Sequence, residues 1–353
     1  MMGDVKPKNV FYELATKYDD PDKIRSLPEI LRLMVTEEEA SILLALPGTV
    51  REVEQKTGKR LNQVTATVNK CYRNGLIMSM NRNDGEKRYS FVDIYVDSIL
   101  CDSRNNSLGP QWRELWKRWT KEQIERRNSQ FNPNAPAQGL VVPIPEMIHE
   151  HDHDAICPYE DARKIVEKSR RIVVQQCPCR YRTGACDYPF EEMCMFFDGM
   201  AEYALERGHT REISKKEALD KIRRASELGL VHMTNSSYYT DASTGVEFLC
   251  NCCTCCCGIL EPFISSDRKV QLGRNYYAEI DPKKCNGCGT CEARCHFDAM
   301  KVTDGTAVVN RTNCVGCGLC AYVCEPKAVA LRRKKGMTFV PMRSDRHFLN
   351  PRE

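Results

Sequence analysis

Cys285-Asn-Gly-Cys288-Gly-Thr-Cys291-Glu-Ala-Arg-Cys295 is answered, 29 residues further on, by Cys314-Val-Gly-Cys317-Gly-Leu-Cys320-Ala-Tyr-Val-Cys324. Both runs have the spacing Cys-x2-Cys-x2-Cys-x3-Cys, and ahead of them Ala278 recurs as Ala307. Each half reads as strand, cysteine loop and short helix. Three cysteines two residues apart wrap the chain around one centre. Gly287, Gly289, Gly316 and Gly318 sit between them, where glycine lets main chain pass closely. Neither half has enough apolar residues for a core of its own, so bound metal has to do that work.

This pattern, from Tyr276 to Leu331, resembles the bacterial ferredoxins that carry two [4Fe–4S] clusters. Cys-x2-Cys pairs also ligate zinc, but three ligands at x2 spacing, an x3 fourth and the internal repeat favour iron–sulfur. The resemblance implies a ferredoxin-like dicluster fold and low-potential one-electron transfer. It also implies crossed ligation: Cys285, Cys288, Cys291 and Cys324 for one cluster, Cys314, Cys317, Cys320 and Cys295 for the other. Glu325 displaces Pro326 by one residue from the usual proline position, and His296 replaces that proline in the first half. These departures bear on potentials, not on ligation.

The remainder of the 353 residues leaves room for two further domains. Net charge is +4, from 52 Lys and Arg against 48 Asp and Glu, so no global bias names a partner. No apolar run approaches a membrane span, residues 1–17 lack a signal-peptide core, and the expected location is cytoplasmic. Nineteen of the 21 cysteines fall at or after Cys157. Such clustering in a long chain fits metal binding in a reducing compartment better than a disulfide scaffold. Exposed low-potential clusters fit an anaerobic host.

The expected fold class is α+β and multidomain: a winged-helix-like N-terminal domain, a Cys-rich central α/β domain and the C-terminal dicluster domain. The expected divisions are a polar segment at 1–27, the winged-helix-like domain at 28–101, a Trp-bearing helix and Pro-rich linker at 102–145, the central domain at 146–272, the ferredoxin domain at 273–332 and a basic tail at 333–353. Within 28–101, helices are expected at 37–46 (opened by a Thr36/Glu39 capping box), 50–57 and 61–74. Strands at 76–80 and 88–92 flank an Asn81–Lys87 turn. This resembles a winged helix-turn-helix, with 62–73 as recognition helix and 81–87 as wing. Residues 51–90 hold nine Lys and Arg against four Asp and Glu, but over 28–101 the count is ten against ten. That face is poor for DNA; a docking or dimerisation module is the other reading.

Trp112, Trp116 and Trp119 share one stripe of a helix over 111–130, expected to pack a core. Pro133, Pro136, Pro143 and Pro145 mark a linker or an extended crossing segment. His149, His151 and His153 would face one way on an extended strand and could bind a metal, or lie in a solvated loop. The central domain has a first cysteine group, Cys177, Cys179, Cys186 and Cys194, and a second, Cys250, Cys252, Cys253, Cys255, Cys256 and Cys257. Ser214 and Glu217 read as a capping box for a helix ended by Gly229. Six cysteines in eight residues have no packing rationale. The open readings are a third iron–sulfur cluster ligated from both groups, which we favour, a structural metal such as zinc, or a dithiol–disulfide relay. If extended, the second group would turn Cys253, Cys255 and Cys257 one way and Cys250, Cys252 and Cys256 the other. Arg180 and Arg182 could tune a cluster, pair an anionic substrate or be solvated. The tail from Arg332 begins Arg-Arg-Lys-Lys and could dock an acidic partner or be a solvated end.

The arrangement of the central cysteines ahead of a dicluster module resembles 4Fe–4S dicluster-domain proteins of anaerobic bacteria. It implies an iron–sulfur electron-transfer protein or reductase component that passes electrons to the Cys-rich centre or to a redox partner protein. A redox-responsive transcription regulator that binds DNA through the winged helix is the alternative; a scaffold docking a dehydrogenase is a third. No Gly-x-Gly-x-x-Gly fingerprint or Walker A loop is present, and no Ser/His/Asp constellation stands out, so catalytic residues are not identified.

Overall fold

The computed structural model describes residues 9–19, 25–81, 86–92, 101–102, 108–129, 137, 139–184, 186–189, 191–234, 246–265 and 272–336. The tip of the expected wing (82–85), most of the prolines' first half (130–136 and 138) and the tail from 337 lie outside them.

The chain begins earlier than its polar composition suggests. Helix α1 (Val10–Ala15) starts inside the segment expected to be polar, with the Asn9 side chain accepting from Phe11 N–H. It buries Phe11 and Leu14, an i, i+3 pair. Then come α2 (Leu27–Met34), α3 (Glu37–Leu43), β1 (Gly48–Thr49), α4 (Val50–Thr57), α5 (Leu61–Arg73), β2 (Ile77–Asn81), β3 (Lys87–Phe91) and α6 (Gly109–Ser129). Thr36 and Glu39 form the full capping box on α3, and Thr49 and Glu52 form another on α4. The strands pair antiparallel in the order β1-β3-β2. Trp112, Trp116 and Trp119 of α6 are buried edge-to-face, ring centroids 5.8 and 5.3 Å apart, in one core with α1, α2, α3 and α5. That core is where the tryptophans act.

The central part contains β4 (Leu140–Val141), α7 (Ala162–Lys168), β5 (Ile172–Gln176), α8 (Pro178–Thr183), β6 (Glu192–Phe197), α9 (Asp198–Arg207), β7 (Arg211–Glu212), α10 (Lys215–Leu228), β8 (Val231–Thr234), β9 (Phe248–Cys252) and α11 (Leu260–Ser265). Six strands form one sheet in the order β4-β8-β9-β6-β5-β7. Every pairing is antiparallel, which corrects the α/β expectation for this domain. Alternation along β5 sends Ile172 and Val174 to the face covered by α7 and α10, and Val173 to the face covered by α9. Gly229 closes α10 with φ 85°, but the capping box is half made: Ser214 accepts from Glu217 N–H while the Glu217 carboxylate turns to Arg211 at 2.8 Å.

One expectation fails on geometry. The run 150–155 is a 3-10 helix, not a strand, so the three imidazoles do not share a face. His149 and His151 stack at 4.8 Å, and His153 Nε2 meets Ile148 O at 2.9 Å. Of the two readings of the Pro-bearing stretch, residues 139–148 follow the extended crossing segment, buried between the central sheet and the C-terminal module. Val141 N–H donates to Gly273 O (3.0 Å), Ile144 N–H to Cys317 O (3.1 Å) and His149 N–H to Leu331 O (2.8 Å).

The C-terminal module has two antiparallel pairs: β10 (Tyr276–Ile280) with β13 (Val329–Arg333), and β11 (Met300–Thr303) with β12 (Thr306–Val309). Helices α12 (Thr290–Arg294) and α13 (Leu319–Tyr322) follow the cysteine loops. Arg332 and Arg333, expected to open a basic tail, end β13 and turn inward. Arg332 pairs with Asp152 (2.9 Å) and Arg333 with buried Glu160 (2.7 Å).

Candidate metal centres

The C-terminal cysteines line two cavities. Cys285, Cys288, Cys291 and Cys324 surround one, beside Val302, Ala307 and Val329. Cys295, Cys314, Cys317 and Cys320 surround the other, beside Ala278, Phe297 and Leu331. Repeat symmetry carries through to single hydrogen bonds. Ala278 N–H points at Cys314 Sγ and Ala307 N–H at Cys285 Sγ, both at 3.3 Å. Ala299 N–H points at Cys295 Sγ (3.4 Å) and Ala328 N–H at Cys324 Sγ (3.3 Å). Backbone donors aimed at sulfur suit thiolates that bear cluster charge. Gly287 and Gly316 hold φ of 69° and 73°, and a Cβ on them would strike the carbonyls of Gly305 and Tyr276. The loops therefore close only with glycine.

The residues present fit two cubanes: four thiols per cavity, apolar walls and N–H donors. Burial pushes the Cys317 thiol up to about 12 and raises Cys291 and Cys320. Holding a metal there would require these thiols as thiolates, with release of their protons. The two cages differ in exposure. Cys288 is exposed in the first, which we call the outer cage; Cys314 and Cys320 are buried in the second, the inner cage.

The ten central cysteines converge from both sequence groups but divide into two sets. Strand β9 ends at Cys252 and the chain turns at 254–256, so the second group does not alternate as an extended strand would. Cys177 contacts Cys179 and Cys194, Cys179 contacts Cys257, Cys257 contacts Cys252, Cys252 contacts Cys250 and Cys250 contacts Cys194. Six thiols thus form a closed ring. Contact with Cys177 first lowers Cys179, and contact with Cys194 and then Cys252 lowers Cys250 to about 7. Thiol contacts raise Cys177 and Cys252.

The other four, Cys186, Cys253, Cys255 and Cys256, have Sγ atoms all within 4.8 Å of one another. Arg180 and Arg182 lie beside them and are 2% and 8% exposed, so neither is a solvated surface charge. Arg180 contacts Cys253 and donates to Asn251 O at 3.0 Å; Arg182 donates to Cys256 O at 3.0 Å. Cys157 belongs to neither set; its N–H donates to Glu160 at 2.9 Å.

The inner cage faces this centre. Cys252 and Cys257 of the ring share one apolar core with cysteines of both cages, Cys291, Cys314 and Cys320. Arg294, just before inner-cage Cys295, donates to Ser226 O and Glu227 O at the end of α10, both at 2.7 Å. His296 Nε2 meets Gly229 O at 2.9 Å and the Tyr188 hydroxyl at 3.5 Å, and Tyr188 lies two residues after Cys186. Motif reading missed Tyr188, Arg294 and Glu160, because no spacing rule marks a docking contact. His296 stood out only as a missing proline.

Two thiol cages related by an internal repeat define the class of the C-terminal module as a carrier of two iron–sulfur clusters. Residues 277–325 match the family described as the 4Fe-4S dicluster domain. The chain is also 34% identical over 83 residues to the protein named "Pyruvate dehydrogenase [NADP(+)], mitochondrial" of Euglena gracilis. That similarity covers 18% of this chain and 5% of the length of that protein. No solved structure matches the chain. Among the described residues, no helix is long and apolar enough to cross a membrane.

Proposed function

We propose that the chain is an iron–sulfur electron-transfer protein whose outer and inner cages relay electrons between a redox partner protein and the cysteine-rich centre. The observation that carries this reading is that the residues flanking inner-cage Cys295, Arg294 and His296, dock on the end of α10 beside the central cysteines, while outer-cage Cys288 is exposed. Each [4Fe–4S] cluster, when bound, exchanges one electron at low potential. The chain's own residues set the conditions for that exchange. Four main-chain donors per module stabilise sulfur charge. Val315, Leu319 and Leu331 exclude water from the inner cage, and exposed Cys288 leaves the outer one open to a partner. The ring, with more than four thiols, is the site for a third cluster. In the relative named above a related segment belongs to an oxidoreductase, and the same kind of work is proposed here.

The region 28–101 serves in this reading as a docking module of winged-helix type and not as a DNA reader. Among the described residues, Lys59 pairs with Glu38, Lys70 with Glu39 and Arg88 with Glu52, which draws these three cations away from phosphates. Tyr72 of α5 donates to Glu206 at 3.0 Å, so one end of the expected recognition helix abuts α9.

The test is anaerobic rapid mixing with a low-potential one-electron donor protein, followed by visible bleaching and freeze-quench EPR. Cys288→Ala, which opens the outer cage, is expected to slow reduction of the central signals at least tenfold. Unchanged central reduction in that variant would overturn the relay.

A further inference from the structure

We propose that Cys186, Cys253, Cys255 and Cys256 hold a single tetrahedral metal ion, zinc or iron, and not an iron–sulfur cluster. The reason is spacing. A tetrahedral ion with metal–sulfur bonds of about 2.3 Å holds its four thiolates about 3.8 Å apart. Cys255 and Cys256 Sγ are 3.7 Å apart, and all four sulfurs lie within 4.8 Å of one another. Among the described residues this is the one group of His, Cys, Asp or Glu ligand atoms gathered so closely. Neither C-terminal cage is, although each presents four thiols; a four-iron cubane spreads its ligands over several irons and needs that wider opening. The same chain thus contains thiol sets of both sizes.

The surroundings suit a tetrathiolate centre. Four thiolates around a divalent ion leave two negative charges. Arg180 and Arg182, both buried, stand against Cys253 and the Cys256 carbonyl. Thr183 contacts Cys256. Ligands come from two separate stretches, so the ion staples the loop around Cys186 to the turn at 253–256. Soft thiolates in a tetrahedron select zinc or iron over magnesium or calcium. This inference does not depend on the relay, because either ion would staple the loops whatever carries the electrons.

The experiment is metal and acid-labile sulfide analysis of the full chain purified anaerobically, wild type against Cys255→Ser and Cys250→Ser. The wild type is expected to hold one metal ion per chain in excess of iron matched by sulfide. If the excess is zinc, it is silent in EPR; if iron, it gives the high-spin ferric thiolate signal on oxidation. Cys255→Ser should lose that one ion and keep its sulfide, while Cys250→Ser keeps the ion. Retained EPR signals of the reduced dicluster module show that the variants are folded. Loss of iron and sulfide together in Cys255→Ser would overturn the proposal, as would a wild type with no unmatched ion. Cobalt loading of the metal-stripped protein gives a second reading: intense visible bands of a tetrahedral cobalt tetrathiolate, absent in Cys255→Ser.

Discussion

At the scale of the residue, two glycines and one histidine have the sharpest consequences. Gly316 adopts φ 73° directly against the Tyr276 carbonyl, as Gly287 does against Gly305. Gly316→Ala combines about 1–2 kcal/mol of left-handed strain with a clash that only main-chain movement relieves. The expected outcome is loss of inner-cage iron with a lower thermal midpoint, read by iron content and melting. His232 is buried, with Nδ1 on Asn251 Oδ1 (2.6 Å) and Nε2 on the Ser226 hydroxyl (2.8 Å). Burial lowers its pKa, so the unfolded chain binds the proton more readily than the folded one. Its contribution to stability is complete above the unfolded value of about 6.5 and declines as pH falls below it. Denaturant midpoints should therefore drop on acidification through that range, less steeply in His232→Gln. The eight cage cysteines could be recognised from residue spacing alone. Tyr188 could not, since a lone tyrosine carries no spacing signature.

At the scale of the element, Arg294 is the hinge pin between α12 and α10. Its two bonds to carbonyls at the end of α10 place a cation where the helix dipole favours one. Arg294→Ala is expected to slow electron transfer from the inner cage to the centre several-fold, with the reduced dicluster EPR spectrum unchanged. Stopped-flow reduction checks this. Caps and breakers made several elements legible beforehand. Thr36 with Glu39 marks α3, and Gly58 and Gly229 end α4 and α10 as glycine in a left-handed turn does. Legibility stopped where tertiary partners compete with local ones. Glu217 leaves its expected cap for Arg211, the His149–His153 run coils instead of extending, and β9 breaks at Cys252. The split of ten cysteines into six and four follows from that break, which no alternation rule reveals.

At the scale of the whole molecule, the dicluster module is built into the chain and not hung from it. Glu160, fully buried, accepts from Asn275 (2.6 Å), Arg333 (2.7 Å) and Tyr276 (3.2 Å), so one carboxylate ties 158–160 to both β10 and β13. Removing one member of a buried pair costs about 3–5 kcal/mol. Glu160→Ala should lower the thermal midpoint and raise hydrogen exchange in β10 and β13, measured by mass spectrometry. The mixture of helix and sheet and the C-terminal dicluster repeat were readable from the sequence. The buried path of 139–148 was not, because its prolines look like linker while Leu140, Val141, Val142 and Ile144 are core.

The central claim, that this chain carries iron–sulfur clusters in its cages and in its centre, is tested most directly by iron and acid-labile sulfide per chain, with EPR of the reduced protein. Two cages and a ring predict about twelve sulfide-matched irons and more than two reducible centres. About eight would confine the clusters to the C-terminal module and contradict the third site, and no iron after anaerobic reconstitution would contradict the account as a whole.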